Sequence, residues 1–432
     1  MSQATFFNRQ AFYLRPDPTR VVVRPFNPAI EPRDLKPTDK TRANHIVDRV
    51  LSMAPELVVS QLNEVLENFL GRHRNLLQTF EARADEMELA FAPHAELSQE
   101  QRRLVGAYFL HEYSFEAAAL FNPSIVTHPD QSGLAPGAQR FVLSLRAVGE
   151  GHISSLTFRS GVIAADGSVA VDPPARLASL PAVTSTLRVG ADEPVDVAFR
   201  PEEELSERVI FPVTSYQSNG IEDARFVQFD DPGKKTFYAT YTAYTGRSIR
   251  SELLETHDFV KFRLSPLRGT AAGNKGMALF PRKLGGRYAM IARQDNENLY
   301  LIYSDDLYTW NGGTPILRPR FPWEFVQIGN CGSPIELDEG WLLLTHGVGP
   351  VRRYAIGAVL LDKDDPSRVL GRSREPLVHP ETSERSGYVP NVVYTCGGMR
   401  SGDRIILPYA VSDTYSAVAT IKIDALLKTL QS

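Results

Sequence analysis

Residues 286–293 read Gly-Arg-Tyr-Ala-Met-Ile-Ala-Arg, and residues 340–347 read Gly-Trp-Leu-Leu-Leu-Thr-His-Gly. Each passes from a turn glycine through an aromatic residue and a short apolar run to a basic side chain. Such runs, bounded by turn residues, read as strands. Working outward, the same texture recurs at 140–146 (RFVLSLR), 234–244 (KKTFYATYTAY) and 403–410 (DRIILPYA). The runs begin at Phe141, Phe237, Tyr288, Trp341 and Ile405, and from Phe237 onward the spacings are 51, 53 and 64 residues. That distance suits one four-stranded blade with its loops. The gap of 96 residues before Phe237 requires an insertion, which the Pro- and Asp-rich stretch 164–204 supplies. The expected fold is mainly β, a five-bladed β-propeller over 121–432 closed by a short C-terminal helix. A β-sandwich with long loops is the competing architecture.

Five residues after Phe141, Tyr288 and Trp341 stand Arg146, Arg293 and His346. On the inner strands of neighbouring blades their ends converge on one channel. A pocket of cations attracts an anion such as phosphate, sulfate or a carboxylate. The alternative is that each basic group simply pairs with a nearby acid.

Residues 1–120 read differently, as a mainly helical region. Val58, Leu62, Val65, Leu66, Phe69 and Leu70 make an amphipathic stripe. Gly71 is the single Gly or Pro between Glu56 and Phe91, so either one long helix or a kinked pair is expected. Ser98 with Gln101 forms a capping box for a further helix. The stripe needs cover, either from the strand-rich domain or from a second subunit in a homo-oligomer.

Lys+Arg 47 against Asp+Glu 51 gives a net charge of −4, which argues against general nucleic-acid binding. Two cysteines, Cys331 and Cys396, provide no disulfide framework and fit a reducing, cytoplasmic setting. No apolar window has the length of a membrane span, and the first residues lack the shape of a signal peptide. The nine His have no metal-ligand spacing, and the common nucleophile, zinc and P-loop motifs are missing. Neither a metal nor an organic cofactor is expected. Cys331 reads as a small buried residue. Trp310, Trp323, Trp341, Tyr354, Tyr388 and Tyr409 suit either sugar stacking or the core.

The segment 218–226 (SNGIEDARF) places Glu222, Asp223 and Arg225 together between strand signals. A carboxyl group in a cleft, tuned by burial and a nearby Arg, is what protonation of a departing sugar oxygen requires. Taken alone the pattern also fits a surface ion pair.

The ordered blocks GIEDARF, NKGMALFPRKLGGRYAMIARQD, SDDLYTW, IGNCGSPIELDEGWLLLTHGVG, RRYAIGAVLLD, GYVPNVVYTCG and PYAVSDTYSAVAT resemble glycoside hydrolase family 130. That family comprises β-mannoside phosphorylases and β-1,2-mannosidases. The resemblance runs from about Phe121 to Leu427 and implies a five-bladed propeller. The helical region resembles the extension of a longer subgroup. The resemblance assigns the general acid to Asp223, with Ala224 where Pro is usual, and keeps Arg225 beside it. It assigns phosphate binding to Lys275, Arg293, His346 and Tyr354, and the −1 sugar subsite to Asp413 with Asn122 and Arg146.

One position departs from the phosphorylase pattern: Gln327 stands where many of them have Lys. With one cation fewer a phosphate dianion is held less strongly, and Glu324 is the candidate base if water is used instead. Its other reading is an exposed residue of the PWEF turn. The expected activity is inverting phosphorolysis of β-manno-oligosaccharides, β-1,2-linked, to mannose 1-phosphate with inorganic phosphate as co-substrate. Hydrolysis at the same site and a non-catalytic sugar-binding propeller are the alternatives.

Overall fold

The computed structural model describes residues 7–28, 31, 36, 40–91, 97–185, 192–231 and 233–431. Two compact units result: Thr19–Ser114 with Arg176–Ser179, and Met1–Pro18 with Phe115–Ala175 and Leu180–Ser432. Among the described residues no helix is long and apolar enough to cross a membrane.

The first unit carries helices Arg42–Leu51, Pro55–Phe69, Leu76–Phe91 and Gln99–Tyr108, with a strand pair formed by Val22–Pro25 and Leu110–Tyr113. The long apolar pattern therefore resolves into two helices, parted by a turn in which Asn75 takes a φ of 53°. Val58 and Leu62 are buried, and Val65, Leu66 and Phe69 pack with Leu76 and Phe80. Leu70, expected in the covered stripe, is instead 54% exposed: it caps the helix end, past the last turn that the packing covers. The capping box forms as read. Ser98 Oγ accepts from the Gln101 N–H, and Gln101 Oε1 accepts from the Ser98 N–H. Gly106 lets the last two helices touch, because a Cβ there would lie 1.9 Å from the Phe80 carbonyl oxygen.

The second unit is mainly β, built from antiparallel meanders. The first contains Ala119–Thr127, Gln139–Val148 and Ser154–Ile163; the second contains Gly220–Asp231, Lys234–Tyr244, Ile249–Thr256 and Lys261–Pro266. A single parallel pair, Gly220 with Ser154, joins these two into one sheet. The third comprises Ala278–Leu279, Tyr288–Ala292, Leu299–Ser304 and Thr314–Leu317. The fourth comprises Gln327–Asn330, Trp341–Val348, Tyr354–Leu361 and Val369–Ser373. The last runs Val393–Tyr394, Arg404–Val411 and Tyr415–Lys422, followed by the short helix Ile423–Leu427.

Each of the five recurring runs is the second strand of its meander. The 164–204 stretch carries short strands, of which Ala182–Val183 and Val195–Ala198 extend the edge of the second meander. Phe7–Leu14, in the region read as mainly helical, is also a strand. It pairs with Tyr415–Lys422 and supplies the outer strand of the last meander.

Apolar inward faces fill the space between strands. Phe158, Phe226, Phe259 and Phe262 make edge and stacked contacts in one cluster. Trp310, Trp341 and Tyr409 are wholly buried, so of the aromatics considered for sugar stacking these three belong to the core. Tyr388 is 53% exposed.

Candidate active site

Two β-bulges set up the acid. The ladder of the first meander slips between Phe121 and Ser124, and that of the second between Glu222 and Arg225. Asn122 and Asp223 sit at these slips with φ of 48° and 53°. This left-handed region is tolerated by Asn and Asp better than by bulkier residues, and a bulge re-aims the side chain it carries. The two side chains meet: Asn122 Nδ2 donates to Asp223 Oδ1 at 2.6 Å.

Arg146 then binds both acids. Its Nη1 donates to Asp223 Oδ1 at 3.2 Å, its Nη2 to Glu222 Oε1 at 2.7 Å and its Nε to Ser154 Oγ at 2.9 Å. Lys275 Nζ lies 3.8 Å from Glu222 Oε2. Arg225 reaches back, donating to the Asp223 carbonyl at 2.9 Å and to the Tyr394 hydroxyl at 2.8 Å. Among the described residues both side-chain bonds to Asp223 fall on Oδ1, which leaves Oδ2 for a substrate.

The charges act in opposite senses on two aspartates. Burial pushes Asp223 upward, but Arg146, then Arg225 and Lys275, outweigh it and hold the carboxyl at about 2. Asp413, at a φ of 48°, is lifted to about 6 by burial and by the charge of Asp223, against Arg146 and Arg352.

A second cluster gathers basic groups without acids. Arg293 Nη1 lies 3.1 Å from His346 Nε2. Gly329 makes the approach feasible: a Cβ there would stand 2.3 Å from His346 Cε1 and 2.9 Å from Arg293 Nη1. His346 stacks on Tyr354 at 6.0 Å between ring centroids and tilts against Tyr394 at 4.8 Å. Burial, then Arg293 and Arg225, keep its imidazole well below the usual range, so it is neutral. Arg146 thus pairs with acids, whereas Arg293 has no carboxylate partner among the described residues.

Two residues that carry this cluster were given no role from sequence. Tyr394 links Arg225 to His346. Asn330 is only 1% exposed, yet among the described residues neither amide atom has a hydrogen-bond partner, and Arg293 Nε is also unmatched. Asn330 Oδ1 and Arg293 Nε each lie 3.8 Å from the point where a Cβ on Gly276 would stand. Both residues lie in the blocks GYVPNVVYTCG and IGNCGSP, but no periodicity marks them out.

Glu324 is not the exposed turn residue considered above. It is wholly buried: Oε1 accepts from the Arg320 and Phe321 N–H groups at 2.7 and 3.0 Å and pairs with Arg372. The carboxylate therefore ties down the turn it belongs to. Gln327 is half-buried and pairs in the ladder with Val348.

A buried acid with one oxygen unbonded among the described side chains, linked to a cluster of basic groups, suits the cleavage of a glycosidic bond. A family model described as β-1,4-mannooligosaccharide phosphorylase matches residues 183–432 and sets the class as a carbohydrate-active enzyme. The chain belongs to glycoside hydrolase family 130. It is 34% identical over 225 residues to a 1,2-β-oligomannan phosphorylase of Thermoanaerobacter sp. (strain X514), covering 50% of this chain and 73% of that one. It is 33% identical over 232 residues to a β-1,2-mannobiose phosphorylase of Listeria innocua serovar 6a, covering 51% and 63%. A solved structure aligns over 72% of this chain and 87% of that one, with a TM-score of 0.53 and 20% identity. Its description states that the GH130 family of mannoside phosphorylases contains glycoside hydrolases that target β-1,2-mannosidic linkages in Candida mannan. The matched region begins at 183, so Asn122 and Arg146 precede it.

Proposed function

We propose that this enzyme phosphorolyses β-1,2-linked manno-oligosaccharides with inversion, and that its meanders are the blades of a five-bladed propeller around the site. The carrying observation is the cluster linked to Asp223 through Arg225 and Tyr394, in which Arg293 and His346 meet and Arg293 has no carboxylate partner among the described residues. In this reading a phosphate oxygen attacks the anomeric carbon of the mannosyl unit. The glycosidic C–O bond breaks on the opposite face, and the proton of Asp223 passes to the departing oxygen. Asp413 and Asn122 hold the mannosyl hydroxyls, and Arg293 and Lys275 hold the anion.

Asp223 at about 2 is ionised in the free protein. Arriving phosphate offsets the charge of Lys275 and the arginines, and the sugar excludes water. Both changes raise the proton affinity of the acid, so binding prepares the proton that the reaction uses. Hydrolysis is the second reading, favoured by Gln327 where a cation would strengthen the phosphate site. The pairing of Glu324 Oε1 with Arg372 and with the N–H groups of its own turn supports phosphate over water, because it holds that carboxylate in a structural role.

Incubation of β-1,2-mannobiose with and without phosphate tests this. Phosphate-dependent release of mannose 1-phosphate is expected. Free mannose formed equally in both would replace phosphorolysis by hydrolysis.

A further inference from the structure

Tyr388 and His152 stand 236 residues apart in sequence, yet the tyrosine hydroxyl lies 2.9 Å from His152 Nδ1 and the ring centroids are 5.6 Å apart. Both side chains are exposed. They are anchored to the candidate site from two directions. His152 ends the tight turn that follows the strand of Arg146, and holds a φ of 58°. The Tyr388 N–H donates to Thr414 Oγ1 at 2.8 Å and the Val389 N–H to the Ser412 carbonyl at 3.0 Å, which ties this backbone to the turn that carries Asp413. The Leu120 N–H in turn donates to the Thr414 carbonyl at 2.9 Å, two residues before Asn122.

We infer that the Tyr388–His152 pair is the platform on which the leaving-group sugar, the mannosyl unit after the scissile bond, is held. The inference rests on the inverting phosphorolysis proposed above. Inversion requires the attacking and departing oxygens on opposite faces of the mannosyl ring. The anion cluster takes Arg293 and His346 from the third and fourth meanders, whereas the platform is carried by the turn after the strand of Arg146 and by the segment tied to the turn of Asp413. A pyranose offers C–H faces to aromatic rings and hydroxyls to the Nε2 of His152, so a ring pair with one wet edge suits it. Tyr388 is also the most exposed of the aromatics that the sequence marked as suited to stacking, after Trp310, Trp341 and Tyr409 went to the core.

Calorimetric titration of the full chain carrying Asp223→Asn, which binds without turnover, tests the platform with β-1,2-mannobiose and with mannose. Adding Tyr388→Ala is expected to weaken the disaccharide about five- to tenfold while mannose stays within about twofold. Tyr388→Phe, which keeps the ring, is expected to hold most of the disaccharide affinity, and unchanged melting temperatures confirm the fold. Equal disaccharide affinity with and without Tyr388→Ala overturns the platform alone. Failure of the Asp223→Asn and the unsubstituted proteins to bind mannobiose at all overturns the substrate class and the platform together.

Discussion

The acid side and the anion side of the site differ in how their charges are matched. Around Asp223 the carboxylates are bound by cations: Arg146 spans two of them and Lys275 approaches Glu222, while Arg225 binds a carbonyl and a hydroxyl. Around Arg293 the neighbours are an imidazole, two phenol rings and an unmatched amide. A buried charge without an opposite partner is costly. On the reading proposed above, the first arrangement is paired within the protein and the second takes its counter-charge from an anion. A fold tolerates the incomplete one where a ligand supplies what is missing.

Substitutions on each side separate these roles. The largest effect is expected from Asp223→Asn, which keeps the shape but removes the proton. Turnover of mannobiose should fall about 10²–10⁴-fold with phosphate affinity kept or improved, since a negative charge is gone. Initial rates and phosphate titration check both parts; undiminished turnover would move the acid to Glu222. On the other side, Arg293→Met should raise the phosphate KM about 10–100-fold, the loss of charge-assisted bonds, with the affinity for mannose little changed. A variant that weakens mannose and phosphate alike would show that the two sides are not separate.

Gln327→Lys sharpens the contrast. A new cation on the strand that pairs with that of His346 should lower the phosphate KM by roughly three- to tenfold, measured at fixed mannobiose. The smallest effect concerns stability. Asp413 binds its proton at about 6 in the fold, above an unfolded value of about 3.9. Between these pH values the folded state holds more protons, so stability rises as pH falls through the window. Asp413→Asn should therefore melt a few degrees higher than the parent at pH 8. The gap should close between about pH 6 and 4, as thermal scans across that range can record.

Much of this site was legible because strands alternate and end abruptly. Arg146, Arg293 and His346 announced themselves as basic groups closing apolar runs, and the Ser98 capping box is a local pattern that needs no tertiary information. What stayed hidden depends on partners distant in sequence. Asn330 and Tyr394 are single residues at strand ends, and their importance comes from neighbours 37 to 169 positions away. Glu324 looks like a solvated turn residue until Arg372 arrives from another strand. Leu70 fits the helical stripe in sequence, but the helix stops where the stripe does not. Phe7–Leu14 was submerged in a region whose average character is helical.

The pairing of Phe7–Leu14 with Tyr415–Lys422 also imposes an order in time. During synthesis the first of these strands leaves the ribosome long before its partner exists. At about 5–20 residues per second the wait is on the order of 20–80 seconds. Throughout it the segment is an open strand edge, available to other chains. The last meander is therefore a late event in the life of the molecule, and its Asp413 joins the site only after the other four meanders have been made. Crowding by neighbouring nascent chains is then a hazard at one sheet in particular, while the second and third meanders, whose strands follow one another closely in sequence, can close as they emerge.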